Sequence, residues 1–142
     1  MIEFNKVYLD TAPIIYFLDN DLNFGKKVLA IFEEILNCEK RLVTSVLACE
    51  EYLVMPYKVN NMEKINAFFE FIADCDIPLY NIDINVAKKA AKIKADYKDF
   101  KTLDALHLAC ACVHECDLFL TNDKQLRQFR EMKCITIEQW IH

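Results

Sequence analysis

The amino-acid sequence predicts an α/β protein, a three-layer α/β/α sandwich around a central, mainly parallel sheet. Three observations carry that expectation. Short apolar runs of strand length (VYL, RLVT and LFLT) alternate with longer segments whose apolar residues recur at helical spacing. Only one Gly and three Pro occur in 142 residues, which favours long helices over elaborate loops. The chain is 54% hydrophobic, enough for a substantial core, and its length suits one domain over residues 1–142.

The elements follow in order. Residues 6–10 read as a short buried strand ending in an acid. Thr11 is a cap for the next helix, with Pro13 in its first turn and Ile14, Ile15, Phe17 and Leu18 continuing the apolar pattern. A second helix is expected over about residues 24–39, with Val28, Ile31, Phe32 and Ile35 on one face. Residues 41–44 form a candidate strand. Ser45 then caps a helix running to Val54, which Pro56 is expected to stop.

Asn61 or Met62 opens another helix, with Ile65, Phe68, Phe69 and Ile72 inward. A strand is expected over 77–80. Asp83 caps a long helix to Tyr97 with Val86, Ala90 and Ile93 on its apolar side. Thr102 caps a helix to about His114, with Leu106, Ala109 and Val113 inward. Residues 118–121 form a strand, Asn122 and Asp123 lead into a short helix, and 134–136 is a last edge strand before EQWIH.

No apolar stretch reaches the roughly 18–20 uncharged residues a membrane span needs, and MIEFNKVYLD lacks the order of a secretion signal. The expectation is a soluble, cytoplasmic protein with no membrane contact. Its seven Cys are then reduced. Cys110, Cys112 and Cys116 with His107 and His114 lack the paired spacing of zinc sites. On a helix Cys112 lies about 200° from Cys110, so buried thiols acting as small hydrophobes are the better reading. A net charge of −5 argues against a generally basic surface. It leaves room for a local one, because Lys88, Lys89, Lys92, Lys94, Lys98 and Lys101 crowd the segment before Asp104.

Four acids, Asp10, Glu51, Asp104 and Asp123, sit where an apolar run meets a helix or a turn. A carboxylate beside a hydrophobic run is costly to bury unless it pairs or binds a cation. Taken singly, Asp10 and Asp123 read as cap or turn residues and Asp104 as a first-turn acid facing the helix dipole. In parallel α/β folds, sites form outside the carboxyl ends of the strands, and all four acids can reach that edge. No Ser, Cys or His nucleophile with an oriented base is evident, so metal-assisted hydrolysis is the natural reaction class. His107 follows Asp104 by one turn and reads as a packing or hydrogen-bonding residue. Trp140, Phe68 and Phe69 read as core or partner-facing aromatics. A phosphatase of the haloacid dehalogenase type also opens with a strand-end Asp, but here the residue two positions on is Ala12, not an acid.

The stretches VYLDTAPIIYFL, TSVLACEEYLVMPY, LDALHLACA and LFLTNDKQL, in that order, resemble the successive motifs of the PIN-domain ribonucleases, and among them the VapC-like toxins of bacterial toxin–antitoxin pairs. The resemblance spans nearly the whole chain. It implies a PIN-like fold with Asp10, Glu51, Asp104 and Asp123 as catalytic acids. Asp10, Asp104 and Asp123 would bind Mg2+ or Mn2+, with Glu51 completing the shell or orienting the attacking water. Thr11, Thr121 and Asn122 would orient them. Asn122 stands where some relatives carry a further acid, which leaves one metal or two open. Glu50 adjoins Glu51, and one position is about 100° around a helix, so both cannot point inward equally.

The expected activity is hydrolysis of RNA phosphodiester bonds by a metal-dependent endoribonuclease, with Lys88, Lys92, Lys94, Lys98 and Lys101 guiding the RNA backbone. The resemblance further implies a cognate antitoxin and a homodimer. The alternatives are a non-catalytic PIN-like module that binds RNA or protein, or an RNA-processing nuclease outside toxin systems.

Overall fold

The computed structural model describes residues 3–140. Five parallel strands form one sheet in the order β3-β2-β1-β4-β5: β1 (Lys6–Leu9), β2 (Arg41–Ser45), β3 (Leu79–Tyr80), β4 (Leu118–Thr121) and β5 (Lys133–Thr136). The helices are α1 (Thr11–Leu18), α2 (Gly25–Asn37), α3 (Val46–Lys58), α4 (Met62–Asp74), α5 (Ile84–Asp96) and α6 (Thr102–Val113). Two 3₁₀ turns, Lys124–Gln128 and Ile137–Gln139, complete the described chain.

Alternation along β1 assigns the layers. Val7 and Leu9 face a core built with Val28, Ile31, Phe32 and Ile35 of α2 and with Ile14 of α1. Tyr8 faces the opposite core, made largely by α5 and α6. Successive strand side chains point to opposite faces, so one three-residue run serves both layers. A smaller cluster of Tyr52, Leu53, Ile65 and Phe68 joins α3 to α4.

The chain extends the sheet from β1 through β2 to β3 on one side, then crosses back to place β4 on β1's other side. The direction of winding therefore reverses between β1 and β4, and the carboxyl ends there open a crevice. Leu9 pairs with Leu120, which sets Asp10 beside Thr121.

Several helix ends differ from the sequence expectation. Asp10, not Thr11, caps α1: its Oδ1 accepts from the Thr11 N–H at 2.8 Å, and the Thr11 hydroxyl is used elsewhere. Lys101, not Thr102, is the cap of α6, because the Asp104 carboxylate reaches back to the Lys101 N–H. Pro56 does not stop α3, which runs to Lys58. A proline two residues from the end costs one hydrogen bond to the preceding turn, while the closing turn forms beyond it through Val59 N–H to Met55 C=O and Asn61 N–H to Pro56 C=O.

Two inward assignments also change. Phe71 is buried in α4 where Phe69 was expected, and Phe69 is exposed; α4 packs on both α3 and the sheet-side core, which rotates its buried stripe. In α6, Val113 is exposed at the final turn while Ala105, His107, Leu108, Ala109, Cys110 and Ala111 are buried. The strand expected over 77–80 is only two residues long.

With a single Gly available, five helices end on other residues in the left-handed region: Asn20, Glu39, Asn60, Asp76 and Glu115. Each is followed by the long-range closing bond of a Schellman motif, for example Cys116 N–H to Ala111 C=O at 2.9 Å. The glycine itself opens α2, where a Cβ would lie 3.1 Å from the Asn20 carbonyl carbon.

The cysteines behave as small hydrophobes. Cys110, Cys116 and Cys134 are buried and Cys38 is exposed. Burial pushes the thiols of Cys110, Cys116 and Cys134 up to about 12, so they stay protonated. No described helix is long and apolar enough to cross a membrane.

Candidate active site

Asp10, Glu51, Asp104 and Asp123 line one open cleft of about 630 Å³, together with Thr11, Tyr16, Thr121, Asn122 and Lys124. They arrive from four places: the end of β1, the second turn of α3, the first turn of α6, and the turn after β4. Of the two adjacent acids on α3, Glu51 is half-buried in the cleft wall and Glu50 is exposed.

The local roles and the cleft roles of the acids coexist. Asp10 caps α1 through Oδ1, and its Oδ2 accepts from the Thr121 hydroxyl at 2.7 Å. The same hydroxyl accepts from the Asp123 N–H at 3.0 Å, so Thr121 ties two of the acids to the end of β4. Asp123 Oδ1 accepts from the Gln125 N–H, capping the following 3₁₀ turn. Asp104 Oδ2 accepts a long, 3.4 Å bond from Lys101 N–H. Capping thus occupies one oxygen each on Asp104 and Asp123 and leaves the other to the cleft. Asn122 donates to the Tyr16 hydroxyl at 2.9 Å.

Glu51 is held most tightly. Its Oε1 accepts from the Thr11 hydroxyl at 2.8 Å and lies 2.7 Å from His107 Nε2. Burial pushes the Glu51 carboxyl up, but the hydrogen bond and charge of His107 and the Thr11 hydroxyl outweigh it and hold the group below the usual carboxylate range. Asp104 goes the other way. Burial raises it first and the charge of Asp10 next; Asp123 adds to the rise, while the Lys101 N–H and His107 only partly offset it.

Two neighbouring carboxyls with opposite shifts mark a crowded anionic site. None of the four acids has a Lys or Arg ion pair among the described residues. The donor set is all oxygen and anionic, the chemistry that hard divalent cations take. Among the described residues no three His, Cys, Asp or Glu side chains are grouped tightly enough to hold an ion by themselves. Mg2+ needs no such cage, since it is commonly held by one or two carboxylates with waters filling the octahedron.

The lysine segment is spread out rather than gathered at the cleft. α5 packs against α6, and Asp83 at the start of α5 acts electrostatically on Cys110 and His114 at the end of α6. Lys88 and Lys92 therefore lie back along α5, with Lys88 roughly 12 Å of helix before its end at Asp96. Lys94 donates to the Phe100 carbonyl. Lys98 and Lys101 are on the loop that leads into α6. None of these five lines the acidic cleft; Lys124 does. Arg127, whose Nε donates to the Lys124 carbonyl, and Arg130 border a separate, polar cleft with Asp96, Tyr97 and Gln128. The sequence reading missed Lys124 and these arginines, and also Tyr8 and Ser45 behind His107, where an apolar strand context hid a hydroxyl contact.

No curated protein matches the chain. Among solved structures it is similar to VapBC2 from Rickettsia felis bound to a promoter DNA fragment, with a TM-score of 0.76 and 10% identity over 92% of this chain and 98% of that one. VapBC-1 from nontypeable Haemophilus influenzae gives a TM-score of 0.73 at 16% identity, covering 94% and 99%. VapC20 from Mycobacterium tuberculosis, described as a toxin that cleaves the sarcin–ricin loop, gives 0.67 at 10% identity, covering 89% and 98%. At such identities these likenesses speak for the fold. The PIN domain family model, however, matches residues 7–132, which takes in all four acids, and the chain belongs to the PIN domain family.

Proposed function

We propose that the protein is a divalent-metal-dependent endoribonuclease and the toxin of a toxin–antitoxin pair. The observation that carries this reading is the convergence of four carboxylates from separate elements on the crevice between β1 and β4, with no Lys or Arg paired to any of them among the described residues. Membership of the PIN domain family and the likeness to VapC20 and the VapBC complexes support it.

Asp10, Asp104 and Asp123 would hold Mg2+ or Mn2+. Bound there, the cation supplies Lewis acidity towards a phosphate oxygen and lowers the pKa of water. Thr121 keeps Asp10 and Asp123 in register with each other. Glu51, ionised through its contacts with His107 and Thr11, accepts a hydrogen bond from the attacking water and orients it.

Repulsion of RNA by the acids needs local cations to offset it. Lys98 and Lys101 on the loop before α6, with Lys124 in the cleft and Arg127 and Arg130 on the separate polar cleft, supply that charge in this reading, and Lys88, Lys92 and Lys94 extend it along α5. A groove of about 210 Å³, lined by Ile15, Tyr52, Met55, Pro56 and Val59 with Asp19, Asn61 and Lys64, shares Glu51 and Ile15 with the acidic cleft. With Met55 and Val59 exposed along it, it suits an apolar segment of an antitoxin whose end reaches the acids. A homodimer is part of the same reading.

Calorimetric titration with Mn2+ and cleavage of a total-RNA substrate test the core of the proposal. Wild type should bind Mn2+ and cut RNA, and Asp10→Asn should lose at least about a hundredfold in rate with an unchanged circular dichroism spectrum. Cleavage by Asp10→Asn at the parent's rate refutes the assignment. No Mn2+ binding by wild type turns the reading towards a non-catalytic module.

A further inference from the structure

His107 is 1% exposed, on α6, one turn beyond Asp104. A buried imidazole needs partners for both ring nitrogens, and these come from three other elements. Nε2 lies 2.7 Å from Glu51 Oε1 and 3.2 Å from the Thr11 hydroxyl. Nδ1 lies 2.7 Å from the Tyr8 hydroxyl, which is itself 2.7 Å from Ser45 Oγ. Ser45 caps the helix that carries Glu51, accepting from the Leu47 N–H, so the chain of contacts closes on the element where it ends.

Glu51 Oε1 faces two groups at once. The Thr11 hydroxyl donates to it, and a nitrogen only 2.7 Å away is tolerable beside a carboxylate only when it carries a proton. The ring is locked from below by Tyr8, whose own ring stacks on Phe119 at 5.3 Å. Glu51 Oε1 is thereby pinned, which fixes the orientation of a carboxylate that lines the acidic cleft.

We infer that His107 is a positioning residue for Glu51, with Tyr8 and Ser45 holding its ring. Both ring nitrogens of a buried histidine need partners, and here one of those partners is a carboxylate that lines the cleft, so the ring that packs the core also holds Glu51. The inference rests on the nuclease reading above, because the orientation of Glu51 matters to rate only if Glu51 directs water at a phosphodiester.

The test compares three variants. His107→Leu keeps the volume and removes the donor; kcat should fall about 10- to 100-fold while KM for RNA stays within about twofold. His107→Gln restores an N–H of similar reach and should recover about tenfold of that loss. Tyr8→Phe keeps the stack on Phe119, frees Nδ1 and should cost about three- to tenfold in kcat. Nitrogen-15 NMR of the metal-free protein supplies a readout independent of activity: a protected His107 Nε2–H resonance in wild type that disappears in Glu51→Ala.

Wild-type kcat in His107→Leu overturns the inference. So do equal losses in the Leu and Gln variants that track their loss of thermal stability, and so does an Nε2–H resonance unaffected by Glu51→Ala. A wild type that cleaves no RNA overturns the nuclease reading and with it any effect on rate, while the NMR signal still decides whether His107 holds Glu51.

Discussion

Thr121→Val tests how the site is anchored. Thr121 is 0% exposed, and its hydroxyl donates to Asp10 Oδ2 at 2.7 Å and accepts from Asp123 N–H at 3.0 Å. Valine keeps the shape and the β-branched preference for the strand but removes both bonds. A bond to an ionised carboxylate contributes about 1.5–3 kcal/mol and a neutral one about 1 kcal/mol. The Asp10 side chain is 14% exposed, so water replaces part of the first. The expected loss is therefore about 2–3 kcal/mol. With a urea m-value of about 2 kcal/mol/M for a chain of this size, the midpoint should fall by about 1–1.5 M. Thr121→Ser keeps the hydroxyl and should lose less than half as much. RNA cleavage should drop at least about tenfold in the Val variant, since Asp10 and Asp123 lose their common tether. A midpoint shift below about 0.3 M, or equal shifts for Val and Ser, would show that the hydroxyl does not anchor the acids.

The two shifted carboxyls have opposite consequences with pH. Asp104 is raised in the folded protein, so the metal-free fold loses stability as pH climbs from the unfolded value, about 3.9, through the folded one; Asp104→Asn should abolish that loss and be the more stable protein at pH 7 without metal. Glu51 is lowered, so its contribution is present above about 4.3 and lost as pH falls through its folded value; Glu51→Gln should remove that acid-side loss. Urea titrations of both variants between pH 3 and 7 check the pair, and slopes of the same sign refute the assignment of causes. Glu115 adopts a left-handed φ of 58° after α6 and is exposed, so Glu115→Gly should stabilise by roughly 0.5–1 kcal/mol, seen as a higher melting temperature. An unchanged or lower melting temperature would show that the strain is absorbed elsewhere.

The order of elements was legible because its causes are local. Apolar period, the Asn61 and Asp83 caps and the short strand runs act within a few residues, and the structure places helices and strands where these signals fall. The misjudged ends came from the same local rules meeting a competitor. Thr11 lost the cap of α1 to Asp10 because its hydroxyl bonds Glu51, 40 residues away. Pro56 stays inside α3 because the turn closes after it. The four acids were legible for a similar reason: an acid abutting an apolar run is a local anomaly that only burial or a ligand explains.

What the sequence alone determined is the strand–helix alternation and the short list of acids that had to be accounted for. Tertiary structure decided everything that depends on register across the sheet. It sets Leu9 opposite Leu120, so Asp10 meets Thr121 across 111 residues of chain. It turns Glu51 inward and Glu50 out. It places His107 against Glu51 with Tyr8 and Ser45 behind the ring, and Lys124 rather than the α5 lysines at the cleft. Hydrogen bonds of 2.7 Å are decided by shifts of a few tenths of an ångström, and no periodicity in one dimension carries that precision.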